Sequence, residues 1–262
     1  MSEKSTTPVL FNAEVPESVD KAFQNLTGNL TQNVGSTLSD IWYLVFGGLS
    51  HLAEKRKAKY AHSLKQFQEE LESSVKKIPP EKRLEPSFQV TAQALENVKY
   101  CITEKELREM FTSLISNSLN SDFSKDVHPS FAEIIKQMSV LDAQILKIFK
   151  NSSPSGIPVC DYRLLSPDKT SYSTILENAF LGLPEIALDR CSASLSSLKR
   201  LGILQIPYGV YLNPPKIYNA FKKHPYYTLL QIQFPAEQIA VEKHVAKLTA
   251  LGISFVHVCV PD

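Results

Sequence analysis

The stretch "EKELREMFTSLISNSLN", residues 104–120, has the apolar periodicity of an α-helix. Its apolar side chains recur at spacings of three and four residues, which places them on one face of the helix. These inward-facing residues are Leu107, Met110, Phe111, Leu114 and Ile115. Thr103 and Glu106 have the spacing of a capping box, which predicts where the helix begins. The buried face requires partners, and the segments on either side have helical patterns of their own.

Two further helices are predicted upstream. The segment "SFQVTAQALENVKYCI", residues 87–102, has an apolar face made of Phe88, Val90 or Thr91, Ala94, Leu95 and Val98. The segment "KYAHSLKQFQEELESSVKKI", residues 59–78, continues a longer helix whose apolar face is Tyr60, Leu64, Phe67, Leu71, Val75 and Ile78. Pro79 and Pro80 end that helix, because proline lacks an N–H group and clashes with the preceding turn.

The longer helix is predicted to begin far upstream, because apolar residues recur every three or four positions from Val19 to Leu52. Its most apolar run, "IWYLVFGGLSHLA" (41–53), has 13 residues, whereas a bilayer-spanning helix needs roughly 20. We therefore expect the stripe to pack on the rest of the chain or on a second copy. The alternative is a membrane-surface helix, with aromatic rings at the interface and basic residues against anionic headgroups.

This segment contains the candidate interaction surface. Its members are Ile41, Trp42, Tyr43, Val45, Phe46, Lys55, Arg56 and Lys57. Ile41 and Val45 lie on the stripe and are expected not to face solvent. The basic residues fall on more than one side of the helix, which also fits a solvated helix end.

The segment "DVHPSFAEIIKQM", residues 126–138, raises the question of whether His128 is a chemical group. His128 precedes a proline, and a residue in that position is pushed toward extended geometry. Ser130 and Glu133 have capping-box spacing at the start of the following helix. No second histidine or carboxylate stands at metal-ligand spacing on this segment. His128 is therefore predicted to have a structural role.

The C-terminal third is predicted to be α+β. Ser139 and Asp142 have capping-box spacing at the start of a helix, and helices are also predicted over 168–180 and from Leu188 to a C-terminal Gly202. A strand "ILQI", a turn "PYG", a strand "VYL" and a strand before "LTALG" follow. This order is similar to a winged-helix module with residues 212–242 inserted in the wing, which is an analogy of fold alone.

Nucleic-acid binding is the alternative function that this analogy suggests. In DNA-binding winged helices the third helix enters the major groove, and here that helix carries Lys199 and Arg200. The segment "AFKKHPYY" adds Lys222 and Lys223 beside two tyrosines. Residues 136–262 hold 13 basic and 9 acidic residues, against 15 and 18 in residues 1–135. A recognition helix usually has more cations and amides, so we expect no nucleic-acid partner.

Enzyme motifs are missing from the sequence. It has no phosphate-binding GxxxxGK[ST] loop, no GxGxxG after a strand, no GxSxG elbow and no HExxH. Glu96, Arg108 and Glu109 are expected to form a helix–helix ion pair rather than an acid–base pair. The 4 cysteines are scattered without a CxxC pair, which predicts free thiols in a reducing cytoplasm. We therefore expect no catalytic residue, cofactor or metal.

The middle of the chain resembles the abortive infection alpha family, a group of bacterial proteins. The matching features, in order and spacing, are Ile78-Pro79, Glu85-Pro86, Ala94-Leu95-Glu96, Tyr100, "LREMFTSLI" (107–115), "HPSFAEIIKQM" (128–138), Ala143 and Leu146. Upstream, "DIWYLVFGGL" (40–49) is similar to the family's N-terminal helix. The resemblance implies a role in defence against phage, in which the infected cell stops growing or dies. It brings no established active site, so it assigns no catalytic residue.

These observations predict an α+β protein that is predominantly α. Residues 1–16 are expected to be a flexible N-terminus, 17–138 a long amphipathic helix with a helical domain, and 139–262 a winged-helix-like α+β domain. The expected function is non-enzymatic phage defence through contacts with a protein partner, a second copy or a membrane surface. The expected location is the cytoplasm, and peripheral attachment to the inner face of the cell membrane is the alternative.

Overall fold

The computed structural model describes residues 54–261 together with Ile41 and Val45, and it describes side chains in the longer segment from Lys59 onward. Within residues 54–261 the α-helices are α1 (Glu54–Lys76), α2 (Phe88–Val98), α3 (Lys105–Ser118), α4 (Phe131–Lys136), α5 (Val140–Lys150), α6 (Leu188–Arg200), α7 (Asn219–Lys223), α8 (Pro225–Gln233) and α9 (Ala250–Cys259). The strands are β1 (Ile157–Leu165), β2 (Tyr172–Ala179), β3 (Leu204–Gln205) and β4 (Ile239–Leu248). The predicted class, α+β and predominantly α, is confirmed.

Helix α3 lies at the centre of the helical layer, where it packs against α1, α2, α4, α5 and α9. The apolar face predicted for it is confirmed, since its five residues are all buried. A capping box would make Thr103 the N-cap residue, but the N-cap residue is Glu104. The side chain of Glu104 makes no capping hydrogen bond. The capping box predicted for Thr103 and Glu106 is therefore wrong.

Helix α1 packs along α3 through the predicted stripe, in which Leu64, Phe67, Leu71 and Val75 are buried. Arg108, only 4% exposed, joins the two helices. Its Nε lies 3.2 and 3.1 Å from the two carboxylate oxygens of Glu70, and its Nη2 lies 2.9 Å from Oε1. The ion pair predicted among Glu96, Arg108 and Glu109 is wrong, because the partner of Arg108 comes from α1.

Ile41 and Val45 are helical and are 2% and 8% exposed. They belong to the same apolar core as the buried faces of α1, α2 and α3, which confirms that these two positions do not face solvent. Trp42, Tyr43, Phe46 and residues 1–16 lie outside the described residues, as do the side chains of Lys55, Arg56 and Lys57. No helix in the described part of the chain is long and apolar enough to cross a bilayer.

The four strands form an antiparallel sheet in the order β2-β1-β4-β3. Ile157, Val159 and Ala246 extend from the sheet into the main core. Cys160 and Tyr162 belong to a second, smaller core that α7 and α8 help to cover, as described below. The boundary predicted at residue 138 stays a prediction, although the main core contains residues from both sides of it.

The winged-helix order predicted for residues 139–262 differs from the structure at its second helix. The segment 168–180 contains strand β2, which pairs with β1 as a hairpin. The carboxylate of Asp168 accepts hydrogen bonds from the hydroxyls of Ser166 and Thr170 and from the Thr170 amide. These bonds stabilise a tight turn, so the helix prediction for this segment is wrong.

The remaining C-terminal predictions are partly confirmed. Helix α6 ends at Arg200, and Gly202 follows two residues later with φ +75°, as expected for the residue just beyond a helix C-terminus. Strand β3 is shorter than "ILQI", and "VYL" (210–212) is not a strand. Two helices, α7 and α8, lie between β3 and β4, where an insertion was predicted.

Candidate interaction groove

A surface groove of about 780 Å³ lies between α2 and the segment that leads into α4. The residues that line it are Val45, Phe88, Ala92, Gln93, Glu96, Asn97, His128, Pro129, Ser130 and Glu133. Of the predicted interaction residues, Val45 is therefore placed at this groove. Ile41 lies in the core beside the same helices. We call this surface the α2 groove.

Helix α2 positions one wall of the groove. Its buried face, which includes Val90, Ala94, Leu95 and Val98, packs into the main core. The opposite side of the helix is therefore left at the surface with Ala92, Gln93 and Glu96. The Nδ2 of Asn97 donates a hydrogen bond of 3.4 Å to the Oε2 of Glu133, which links α2 to α4 across the groove.

Phe88 is 60% exposed at the edge of the groove. The sequence pattern assigned it to the buried face of α2, and the structure corrects that assignment. Phe88 is the first residue of α2, and side chains in a helix lean toward its N-terminus. Its ring therefore extends past the end of the helix instead of into the core. An exposed aromatic ring beside a groove is a feature of many protein-binding surfaces.

His128 forms the entrance to α4. Its Nδ1 accepts a hydrogen bond of 3.2 Å from the Ser130 amide and lies 2.7 Å from the Ser130 hydroxyl. The capping box predicted for Ser130 and Glu133 is wrong, because the Ser130 side chain caps no amide of α4. The structural role predicted for His128 agrees with this geometry, since its ring nitrogen holds the turn. The predicted box at Ser139 and Asp142 is confirmed.

A cluster of buried polar side chains lies on the sheet, and it was not predicted from the sequence. Asp161 on β1 has its Oδ2 3.2 Å from His244 Nε2 on β4 and 3.1 Å from Arg163 Nη2, and its Oδ1 accepts from the Asn178 amide. Burial alone would raise the pKa of Asp161, but the hydrogen bonds from His244, Asn178 and Arg163 outweigh it and hold the pKa below its usual value. The cluster thus ties β1 to β4.

The candidate nucleic-acid contacts lie on two separate helices. Lys199 and Arg200 are exposed at the end of α6, where the Arg200 Nη1 donates to the Gln137 Oε1 at 3.2 Å. Lys222 and Lys223 are exposed at the end of α7. Because each pair has its own helix, a nucleic-acid surface would have to be assembled from α6 and α7 together.

Metal ligands do not gather in the part of the chain that the structure describes, where no three His, Cys, Asp or Glu side chains could hold an ion together. The four cysteines are free thiols, as predicted, with Cys101 half-buried and Cys160, Cys191 and Cys259 buried. The expected absence of a cofactor stays a prediction.

Comparison with known proteins identifies one family. The family model described as abortive infection alpha matches residues 59–259, which include every helix and strand from α2 to α9 and most of α1. Neither a curated protein nor a solved structure matches the chain. The matched region contains all residues of the α2 groove except Val45. Because the match covers most of its length, the chain belongs to the abortive infection alpha family.

Proposed function

We propose that the chain is a non-enzymatic abortive-infection protein, which acts in the cytoplasm by binding another protein, or a second copy of itself, at the α2 groove. The family supports a role connected with abortive infection. The observation that carries the mode of action is the exposed ring of Phe88 beside the groove. Aromatic side chains at such positions contribute much of the free energy of protein association.

The charged residues around the α2 groove indicate which chemical groups the partner would have to offer. Glu96 and Glu133 line the groove and each has a lysine neighbour, with Lys99 2.7 Å from Glu96 and Lys136 3.4 Å from Glu133. These side chains form a polar rim next to the apolar surface of Phe88. A partner that inserts an apolar side chain and offers polar groups to the rim would match this arrangement.

Contact with protein is favoured over contact with lipid for the N-terminal stripe. Ile41 and Val45 are members of the stripe, and both are packed in the core of this chain. A side chain that is already buried by protein has little apolar surface left to insert into a membrane. The stripe therefore supports the fold at these two positions and places Val45 at the groove.

The chemistry of the buried nucleophiles supports a non-enzymatic role. Burial raises the pKa of Cys101 to about 12 and raises that of Cys160 further. A thiol protonated at neutral pH is a weak nucleophile. Asp161 and His244 are engaged with each other, and His128 holds a turn.

Changing Phe88 to Ser tests the groove. The ring is mostly exposed, so we expect an unchanged melting temperature and a loss of at least about tenfold in phage protection, measured as plating efficiency. Ile253→Ser is the matched control, because Ile253 is also 60% exposed but lies on α9. Full protection by a folded Phe88→Ser variant would contradict the proposal.

Specific duplex DNA binding at physiological salt, lost when Lys199 and Arg200 are both Ala, would favour the winged-helix regulator instead.

Changing His128 to Gln is expected to preserve phage protection. The variant loses the ring nitrogen that accepts from the Ser130 amide, and an exposed hydrogen bond of this kind contributes about 1 kcal/mol to the free energy of unfolding. Chemical denaturation measures that loss, and plating efficiency measures protection. If a normally folded variant gave no protection at all, His128 would contact the partner at the α2 groove, which it lines, or would have a chemical role, and its role would not be only structural.

A further inference from the structure

The segment between β3 and β4, residues 206–238, carries an exposed apolar surface that the proposed function does not use. We call this segment the β3–β4 insert. Half of the large apolar side chains that are exposed in the described residues lie in it, namely Tyr208, Val210, Tyr211, Leu229 and Ile232. The insert is a small part of the chain, so the concentration of these side chains requires an explanation.

Helix α8 displays the most exposed part of this surface. Its sequence, "PYYTLLQIQ", contains no charged residue. Pro225, Thr228, Leu229 and Ile232 are all exposed, and their spacing of three and four residues places them on one outer face. Leu229 and Ile232 are 55% and 77% exposed. This face is an uncharged, mainly apolar strip on the outside of the helix.

The opposite face of α8 is fixed to the sheet. The rings of Tyr226 and Tyr227 lie 5.2 and 6.3 Å from the ring of Tyr162 on β1, measured between centroids. Leu230 is buried in the smaller core, and the preceding helix α7 is held to the sheet because the Tyr162 hydroxyl donates to the Phe221 carbonyl oxygen at 2.8 Å. The outer face of α8 is therefore presented by a firmly anchored helix.

The charges of the insert are nearly all positive. Lys216, Lys222 and Lys223 are exposed, and Glu237 is the one acidic residue of residues 206–238. None of the ion pairs within the described part of the chain involves these lysines. Lys222 and Lys223 end α7, and His224 separates them from α8, so positive charge lies close to the apolar strip along the chain. Exposed tyrosines such as Tyr211 add rings of the kind found at the level of lipid headgroups.

We propose that the β3–β4 insert binds an anionic lipid surface, with Leu229 and Ile232 entering the headgroup region and the lysines meeting lipid phosphates. An uncharged outer helix face next to unpaired lysines matches the charge and polarity of such a surface. The strip contains no acidic residue, which fits a negatively charged membrane surface. This inference depends on neither the α2 groove nor the role in phage defence.

Vesicle co-sedimentation of the purified full chain tests the proposal. We expect binding to phosphatidylcholine vesicles that contain phosphatidylglycerol, weaker binding to phosphatidylcholine alone, and a loss of binding at high salt. Leu229→Ser combined with Ile232→Ser should weaken binding about tenfold or more. Lys222→Gln combined with Lys223→Gln should weaken it by roughly fivefold per lysine at low salt. Ile253→Ser, exposed on α9, should bind like the wild type.

Melting temperatures and sedimentation without vesicles complete the test. Each of the two double variants changes exposed side chains, so its melting temperature is expected to equal that of the wild type. The proposal is overturned if the wild type does not bind anionic vesicles, or if both paired variants bind as well as the wild type. It is also overturned if Leu229→Ser with Ile232→Ser splits an oligomer of the wild type without affecting vesicle binding, since the strip would then be a protein interface.

Discussion

Changing Val45 to Asp is expected to lower the free energy of unfolding by about 3–5 kcal/mol, because it places an unpaired charge in an apolar core. Val45 is 8% exposed and shares that core with the buried faces of α1, α2 and α3. The new carboxylate would have to stay buried without a partner or force the N-terminal stripe away from the core. Thermal or urea unfolding, followed by circular dichroism, measures the loss.

The control for this experiment is Gln89→Asp, which adds the same charge at an exposed position of α2. That variant should unfold within about 0.5 kcal/mol of the wild type, as is usual for surface substitutions. A different outcome for Val45→Asp would be equally informative. If its melting temperature were unchanged and vesicle binding were lost, the stripe would contact lipid at this position and the packing described here would be wrong.

Changing Glu70 to Ala is expected to lower the free energy of unfolding by about 2–4 kcal/mol. The variant leaves the Arg108 guanidinium, which is 4% exposed, without the carboxylate that it contacts through Nε and Nη2. Breaking a buried pair usually costs about 3–5 kcal/mol, and the lower figure reflects the side chain of Glu70, which is 31% exposed. One hydrogen bond, from Nη1 to the Ile102 carbonyl oxygen, would remain.

A double variant distinguishes the cost of leaving a buried charge unpaired from the cost of losing packing contacts. Arg108→Met combined with Glu70→Leu removes both charges and keeps apolar volume between α1 and α3. It should recover most of the stability that Glu70→Ala loses, because replacing a buried ion pair with apolar side chains is often nearly neutral. If Glu70→Ala were as stable as the wild type, Arg108 would have another partner or access to water.

The helical layer could be predicted from the sequence because its signal is local. Apolar residues at spacings of three and four identify one face over several turns, and the buried faces of α1 and α3 are the ones that the pattern indicates. Pro79 and Gly202 mark helix ends for equally local reasons, a missing N–H group and a positive φ. No partner from a distant part of the chain is needed for these predictions.

Strand β2 and the Asp161 cluster could not be predicted because they depend on distant partners. The segment 168–180 becomes a strand only by pairing with β1, and its tight turn depends on the side chain of Asp168. Asp161 and His244 are 83 residues apart in sequence. Tyr172 and Thr174 are residue types that favour strands. This preference was the local signal from which β2 could have been predicted.

Capping boxes show the limit of spacing as a signal. Ser139 and Asp142 form the reciprocal pair that their spacing predicts, whereas the box predicted at Thr103 does not form. At Ser130 the amide is bound by His128 instead. Spacing is thus necessary for a box but does not decide which group accepts the hydrogen bond. Phe88 illustrates the same limit for burial, because its position at the end of α2 exposes it.

The most direct test of the proposed role in defence is phage plating combined with survival of the infected cells. Bacteria that express the full chain would be infected with a panel of phages beside cells that express the destabilised Val45→Asp variant. The proposal predicts fewer plaques for at least one phage, with infected cells that stop growing or die before they release progeny. Equal plating across the panel, or protected cells that survive infection and keep dividing, would contradict an abortive-infection role.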